Sequence, residues 1–304
     1  MSEQKSPAIG FIGVGSMGWP MAARLATGGF ALAVSDAAAA RAERFAAEFG
    51  ATAMPAPQVV QRCDVLITML PSSAVVEQVF AADAVEATLR PGTLLLEMSS
   101  GVPSRTQALA GRLAARGMAV VDAPVSGGVK RAETGELAIM VGGGRAEIER
   151  ATPILQRMGS TITPTGGVGS AHAMKALNNL VSAAGFAIGI EALLIGSKFG
   201  LDAATMVDVL NASTGMNNAT QRKLKQFVLS GRFDSGFGLD LMLKDLGIAL
   251  DLAHDTKTPV PLSAACRELW GSAAGLLGPG RDHTEMARLS ERLAGLELAA
   301  AARA

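Results

Sequence analysis

The sequence predicts an α/β chain: a doubly wound parallel sheet in an N-terminal domain, residues 1–166, followed by an all-α C-terminal domain, residues 167–304. Three observations carry that expectation. Short apolar runs bounded by turn residues recur through the first half, stretches with helical spacing lie between them, and beyond Gly169 long helical periodicity takes over with no convincing strand. Strands that alternate with helices imply a parallel sheet covered on both faces.

The expected strands lie in Ala8 to Val14, Ala31 to Asp36, Cys63 to Pro71, Gly92 to Ser100 and Gly117 to Gly128, with two more in Glu136 to Gly143 and Ser160 to Gly166 around a helix from Arg145 to Met158. Helices are expected in "AAAARAERFAAEFG" and in "SRTQALAGRLAARG", the second with Ser104 placed three residues ahead of Gln107 as a capping pair. The alanine-rich tail, Ala299 to Ala304, is expected to fray.

Composition excludes several classes. Lys plus Arg and Asp plus Glu each total 27, with no block of like charge to recruit nucleic acid or anionic lipid, so no nucleic-acid partner is expected. The start, "MSEQKSPAIGFIGVG", has no basic segment followed by an apolar core of roughly 7 to 15 residues, which points to a cytoplasmic protein. Cys63 and Cys266 share no ligand spacing, and with His172, His254 and His283 as the full complement of histidines no metal site is expected. The apolar segment Ala176 to Gly196 is read as a buried helix and not a membrane span. Its uncharged stretch between Lys175 and Glu191 is 15 residues and includes two asparagines, short of the roughly 20 apolar residues a span needs.

"FIGVGSMGWPMAARLATGG" places Gly13, Gly15 and Gly18 between a strand and a helix, with Asp36 at the end of the next strand. The first glycine permits a tight turn, the second lets backbone approach a pyrophosphate, and the third lets helix and strand pack closely. The helix N-terminus then offers free N–H groups to a dianion. Gly13, Val14, Gly15, Ser16, Met17, Gly18 and Asp36 therefore form a candidate dinucleotide site. Asp36 would accept from the ribose hydroxyls and repel a 2'-phosphate, and no arginine follows until Arg41, so NAD is favoured over NADP. A glycine turn serving the fold alone is the competing reading.

"DAPVSGG", Asp122 to Gly128, offers a hydroxyl and unobstructed backbone N–H groups suited to a carboxylate or another small anion. In "GGVGSAHAMKALNN", Lys175 and Asn179 are four residues apart and share a helix face. A lysine followed by apolar residues and two asparagines until Glu191 is poorly explained by a solvated surface, although a lysine snorkelling from a domain junction would look the same. With no tyrosine in the chain, Lys175 is the candidate proton carrier: burial can lower a free pKa of about 10.4, and the ammonium can serve as acid. His172, three residues earlier, remains possible. Asn179 would anchor substrate or orient the amine. Lys244, in "LMLKDLGIALD", is read either as closing the site or as a helix-surface partner of Asp245.

Together "GFIGVGSMGWPMAARL", "DAPVSGGVKRAETG", "GGVGSAHAMKALNN" and "KDLGIALD" resemble, in order and over nearly the whole chain, the β-hydroxyacid dehydrogenase family, which includes 3-hydroxyisobutyrate dehydrogenases and several semialdehyde reductases. The resemblance implies a Rossmann domain, a long helix between domains and a helical domain that builds a homodimer or homotetramer. It implies that Lys175 is the catalytic acid/base, that Ser126, Gly127, Gly128 and Asn179 bind a small carboxylate substrate, and that Leu70, Pro71, Ser100 and Lys244 contact the dinucleotide. The implied reaction is hydride transfer between NAD and a short 3-hydroxy acid. The alternatives are a semialdehyde reductase using NADPH, or a dinucleotide-binding module without catalysis. "NASTGMNNATQRKL" departs at Met216, Asn217 and Asn218 from the "SSGR" turn of 3-hydroxyisobutyrate dehydrogenases, so the resemblance does not single out 3-hydroxyisobutyrate as the substrate.

Overall fold

The structure, a computed structural model, describes residues 7–301. The first six residues, on which part of the leader expectation rested, and residues 302–304 of the alanine tail lie outside the described residues. The chain divides into two compact units, the first running through Lys175 and the second beginning at Ala176.

Strands β1 (Ile9–Ile12), β2 (Leu32–Ser35), β3 (Thr52–Ala53), β4 (Val65–Thr68), β5 (Leu94–Glu97) and β6 (Ala119–Asp122) form a parallel sheet ordered β3-β2-β1-β4-β5-β6. This is the doubly wound order with its switch between β1 and β4, where ligands bind at the carboxyl edge. The sheet continues through β7 (Val125–Ser126), β8 (Leu137–Gly142) and β9 (Gly159–Gly166). β8 runs antiparallel to β6 and β7 and parallel to β9, so the all-parallel expectation holds only through β6.

The strands read as unbroken apolar runs because both faces are covered. Successive side chains point to opposite faces, and the core divides accordingly. Ile9, Phe11, Val65, Ile67, Leu94 and Leu96 join one cluster. Ile12, Leu66, Leu95 and Val120 join the other. Each such fully buried side chain contributes about 1.5–3 kcal/mol. One helix start is corrected: the helix after β5 begins at Pro103 with Val102 as N-cap and no side-chain cap, so Ser104 lies in the first turn. Proline's fixed φ suits the first helical position, and that preference outweighs the capping pair.

The second unit has no strand among its described residues. Its principal helices are Ser170–Phe199, whose first six residues belong to the first unit, Leu239–Asp255 and Pro261–Leu277. They enclose Phe186, Ile190, Leu246, Trp270 and Met286. The 30-residue helix Ser170–Phe199 is, among the described residues, the one helix long and apolar enough to cross a membrane. Its most apolar 18-residue window has mean hydropathy 1.8, and 44% of that window is buried. The expected buried helix is thereby corrected to a half-buried one: Val181, Ile188 and Ile195 are 73%, 61% and 72% exposed. Their seven-residue spacing places them on one stripe, left exposed among the described residues.

Candidate active site

The glycine turn follows β1. Gly13 has φ 99°, and a Cβ there would strike the Met69 carbonyl; a Cβ on Gly18 would strike the Gly13 carbonyl. These two glycines are demanded by the turn itself. Gly15 is different, because a Cβ there would meet nothing within 4 Å. The helix Gly18–Thr27 has no side-chain cap, so the turn presents open space beside Gly15 next to a helix N-terminus, and these residues fit a bound pyrophosphate. Val14, Gly15, Ser16, Trp19, Arg41 and Arg44 line part of a cleft of about 760 Å³ in this unit, and Met17 is the helix N-cap residue.

Asp36 closes the turn from β2. Its Oδ2 accepts from Val14 N–H at 3.0 Å and its Oδ1 from Ala38 N–H at 2.9 Å. Arg41, treated from sequence as too distant to matter, pairs with the Asp36 carboxylate at 3.2 Å. The bend after β2 and the start of the helix Ala39–Phe49 bring it back over the strand end, so part of the carboxylate's charge is already answered by a cation.

The turns after β4 and β5 are tied together. Leu70 N–H donates to Ser99 Oγ at 3.0 Å, and Val102 N–H donates to Ser73 Oγ at 2.8 Å. Leu70 and Pro71 sit on the first of these turns and Ser100 on the second, all at the sheet's carboxyl edge. Below them is a buried polar network. Asp122, fully buried at the end of β6, accepts from Gly169 N–H at 2.7 Å through Oδ1 and from His172 N–H at 2.9 Å through Oδ2, holding the start of the long helix.

His172 is 1% exposed. Burial acts to lower its pKa, but the Glu97 carboxylate at 3.0 Å, helped by Asp122 and the Ser99 carbonyl, outweighs that and holds it above the ordinary range. As an imidazolium it donates from Nε2 to Glu97 and to the Ser99 carbonyl at 2.9 Å, and from Nδ1 to Thr106 Oγ1 at 2.9 Å. The Thr106 hydroxyl donates onward to the Val102 carbonyl at 3.2 Å. Both ring nitrogens are engaged, so the possibility of His172 as proton donor is corrected: it is an internal brace. Gly101 is required beside it, since a Cβ would stand 2.8 Å from the ring.

Ser126 belongs to β7, paired with Ala138, and is followed by Gly127 and Gly128 with φ 137° and 71°. A Cβ on Gly128 would meet nothing within 4 Å, which leaves backbone beside the Ser126 hydroxyl open. Lys175 is the sixth residue of the long helix and is 8% exposed. Its helix continues into the second unit with Asn179, 6% exposed, whose Nδ2 donates to Asp245 Oδ2 at 2.6 Å and whose Oδ1 accepts from Asn178 at 3.2 Å. The other oxygen of Asp245 lies 3.3 Å from Lys244 Nζ. Lys244 is thus paired with Asp245, as one of its two readings had it; the lysine is 28% exposed and its partner 2%.

Sequence reading missed three groups: Glu97, Asp122 as a helix clamp, and Asp245 as the residue orienting Asn179. The signal for Asp245 was available, since it falls three residues after Met242 on the buried face of its helix. Among the described residues no group of His, Cys, Asp or Glu could hold a metal ion.

An open glycine turn at the carboxyl edge of a doubly wound sheet, an acidic residue closing it and a buried lysine at the head of a long helix define the class: a dinucleotide-dependent oxidoreductase. Comparison with known proteins sharpens it. Residues 8–167 match the model for the NAD-binding domain of 6-phosphogluconate dehydrogenase, and residues 169–290 match that for the NAD-binding region of NADP-dependent 3-hydroxyisobutyrate dehydrogenase. The chain is 36% identical to a 2-(hydroxymethyl)glutarate dehydrogenase of Eubacterium barkeri over 97% of its own length and 98% of the relative's. It is 37% identical to 3-sulfolactaldehyde reductase of Escherichia coli, covering 90% and 92% of the two chains. A solved Mycobacterium tuberculosis 3-hydroxyisobutyrate dehydrogenase with L-serine superposes with TM-score 0.87 at 32% identity, over 94% of this chain and 99% of that one. The chain belongs to the β-hydroxyacid dehydrogenase family and is an NAD(P)-dependent hydroxyacid dehydrogenase.

Proposed function

We propose that this enzyme interconverts a short 3-hydroxy acid and its semialdehyde or 3-oxo acid, with NAD as the preferred cofactor. The observation that carries the reading is Lys175: a buried amine one helical turn from an oriented amide, on a helix whose first turn is clamped by Asp122 and braced by His172. When bound, the nicotinamide ring supplies the hydride acceptor or donor. The chain supplies position and a proton carrier. In the oxidative direction, Lys175 takes the hydroxyl proton as the C–H hydride leaves; in reduction it returns that proton to the forming alkoxide. Ser126, Gly127 and Gly128 hold the substrate carboxylate, and Asn179, fixed by Asp245, orients the alcohol.

Gly13 to Gly18 cradle the pyrophosphate, Asp36 takes the ribose hydroxyls, and Leu70, Pro71, Ser100 and Lys244 contact the dinucleotide. The relatives' names cover a monocarboxylic 3-hydroxy acid, a dicarboxylic one and a sulfonated aldehyde, so the substrate is a small acid of that range. The exposed stripe Val181, Ile188, Ile195 supports a homodimer or homotetramer, which we place in the cytoplasm. In the test, Lys175→Ala lowers turnover by about a hundredfold or more with NAD affinity nearly unchanged. Wild-type turnover in that variant would remove Lys175 from the chemistry.

A further inference from the structure

The His172 ring stands where three segments of the first unit meet: the turn after β4, the turn after β5 and the first turns of the helix Ser170–Phe199. The two strand-end turns are already joined to each other, through Leu70 N–H to Ser99 Oγ and Val102 N–H to Ser73 Oγ. The ring ties the helix to both of those joints. Its Nε2 holds the Ser99 carbonyl, and its Nδ1 holds the Thr106 hydroxyl, which reaches on to the Val102 carbonyl.

Only the charged ring makes both ties at once. A neutral imidazole has a single N–H. Without the second proton, either the Ser99 carbonyl loses its donor, or Thr106 must turn its hydroxyl to the ring and give up the Val102 carbonyl. Glu97 supplies the counter-charge. Its Oε2 lies 3.0 Å from Nε2 and its Oε1 accepts from Ser99 N–H at 3.0 Å, so one carboxylate grips ring and turn together. The second carboxylate facing the ring, Asp122, stands 3.9 Å from Nδ1 and is committed to the N–H groups of Gly169 and His172.

A buried ion pair contributes little net stability compared with apolar packing of the same volume. What it supplies here is one fixed geometry, and Lys175 shares in it, because residues three apart are neighbours on a helix face. We infer that Glu97, His172 and Thr106 are positioning residues for the reaction: together they hold the helical turn that carries Lys175 in one register against the turns after β4 and β5. The inference rests on the proposed role of Lys175 and adds the residues that place its amine. A misplacement of about 1 Å costs on the order of a hundredfold in rate, so the effect is read in turnover and not in binding.

The test uses NAD with the better substrate of 2-(hydroxymethyl)glutarate and 3-hydroxyisobutyrate. Glu97→Gln keeps the shape and removes the counter-charge, and Thr106→Val keeps the shape and removes the partner of Nδ1. Glu77→Gln, which breaks the Arg105 pair on the surface, is the control for a lost carboxylate. In Glu97→Gln kcat is expected to fall about tenfold or more. KM for the acid and the calorimetric Kd for NAD stay within about threefold, and each chain still binds one NAD. Thr106→Val shifts the same way by about threefold or more, and Glu77→Gln changes nothing. In a Lys175→Ala background, adding Glu97→Gln costs less than about twofold in kcat, because residues that act through one another are not additive.

An unchanged kcat in Glu97→Gln overturns the inference, as does a loss carried by KM and Kd, or a full further loss on top of Lys175→Ala. Should Glu97→Gln bind no NAD, the same comparison with Thr106→Val decides in its place. Wild-type turnover in Lys175→Ala strikes the reading underneath, and the inference falls with it. A slow Lys175→Ala beside an unaffected Glu97→Gln strikes the inference alone.

Discussion

The two units build polar sites by different means. At the carboxyl edge of the sheet, strands end and their N–H groups become available, so the first unit offers backbone around Gly13, Gly15, Gly127 and Gly128 and uses buried side chains such as Asp122 and His172 to hold that backbone still. In the helical unit backbone groups are consumed within each helix. Polar function there falls to side chains alone, such as Asn179 with Asp245, 66 residues apart, and Lys223 with Ser182, 41 residues apart. A sheet edge presents what glycine spacing announces; a helical bundle presents what only packing assembles.

That contrast can be broken at four points, taken from the largest expected effect to the smallest. Asp122→Ala strips the acceptor from two buried N–H groups at the start of the long helix and is expected to cost about 4 kcal/mol, at roughly 1–3 kcal/mol per orphaned donor. Urea unfolding measures it. A loss under 1 kcal/mol would mean that the helix start needs no clamp.

The second point sets the units against each other in pH. His283, stacked on Trp270, has a folded pKa of about 4, below its unfolded value, so its contribution is present above about pH 6.5 and is lost as pH falls toward 4. A shift of that size is worth about 3 kcal/mol. His172 has the opposite sign. Its folded pKa is raised, so its contribution is complete below about pH 6.5 and is lost as pH rises through the raised value. Acid should therefore weaken the helical unit and alkali the sheet. Trp19 and Trp270 report on the first and second units respectively. Fluorescence of Trp19→Phe and Trp270→Phe variants across pH separates the two limbs, and coincident midpoints at both extremes would refute the assignment.

Third, Gly15→Ala should reduce NAD affinity about tenfold or more by filling the space a pyrophosphate needs, while the melting temperature stays put because the added methyl meets no protein atom. A variant that loses stability without losing affinity would make Gly15 a residue of the fold. The smallest effect is expected at Asp36→Ser, which removes the carboxylate that repels a 2'-phosphate and leaves Arg41 available. The NAD to NADP preference should move about tenfold toward NADP, read from the two kcat/KM values.

Legibility followed the same division. Gly13, Gly15, Gly18 and Asp36 could be read directly, because each answers a local demand of turn geometry or strand end. Lys175 and Asn179 were legible as a pair because helical spacing is local too. His172 was left open as a second proton carrier, since nothing near it in sequence shows that Glu97, Ser99 and Thr106 surround it. Arg41 was dismissed because five residues of sequence look like distance when a bend into the helix start erases it. The half-exposed helix was read as buried, because apolar content reveals preference for contact and not which contact exists.

By itself the sequence determined the alternation of the longer strands with helices, the glycine turn and the lysine that heads the long helix, all of them consequences of spacing within about ten residues, but not the short strands β3 and β7. Only the tertiary structure decided that Asp122 clamps that helix, that His172 is a charged brace, that Asp245 orients Asn179 and that Lys223 meets Ser182. The reason is physical: local periodicity is written in neighbouring residues, whereas the partner of a buried charge is whichever group the packed chain delivers to within about 3 Å, however far along the sequence it began.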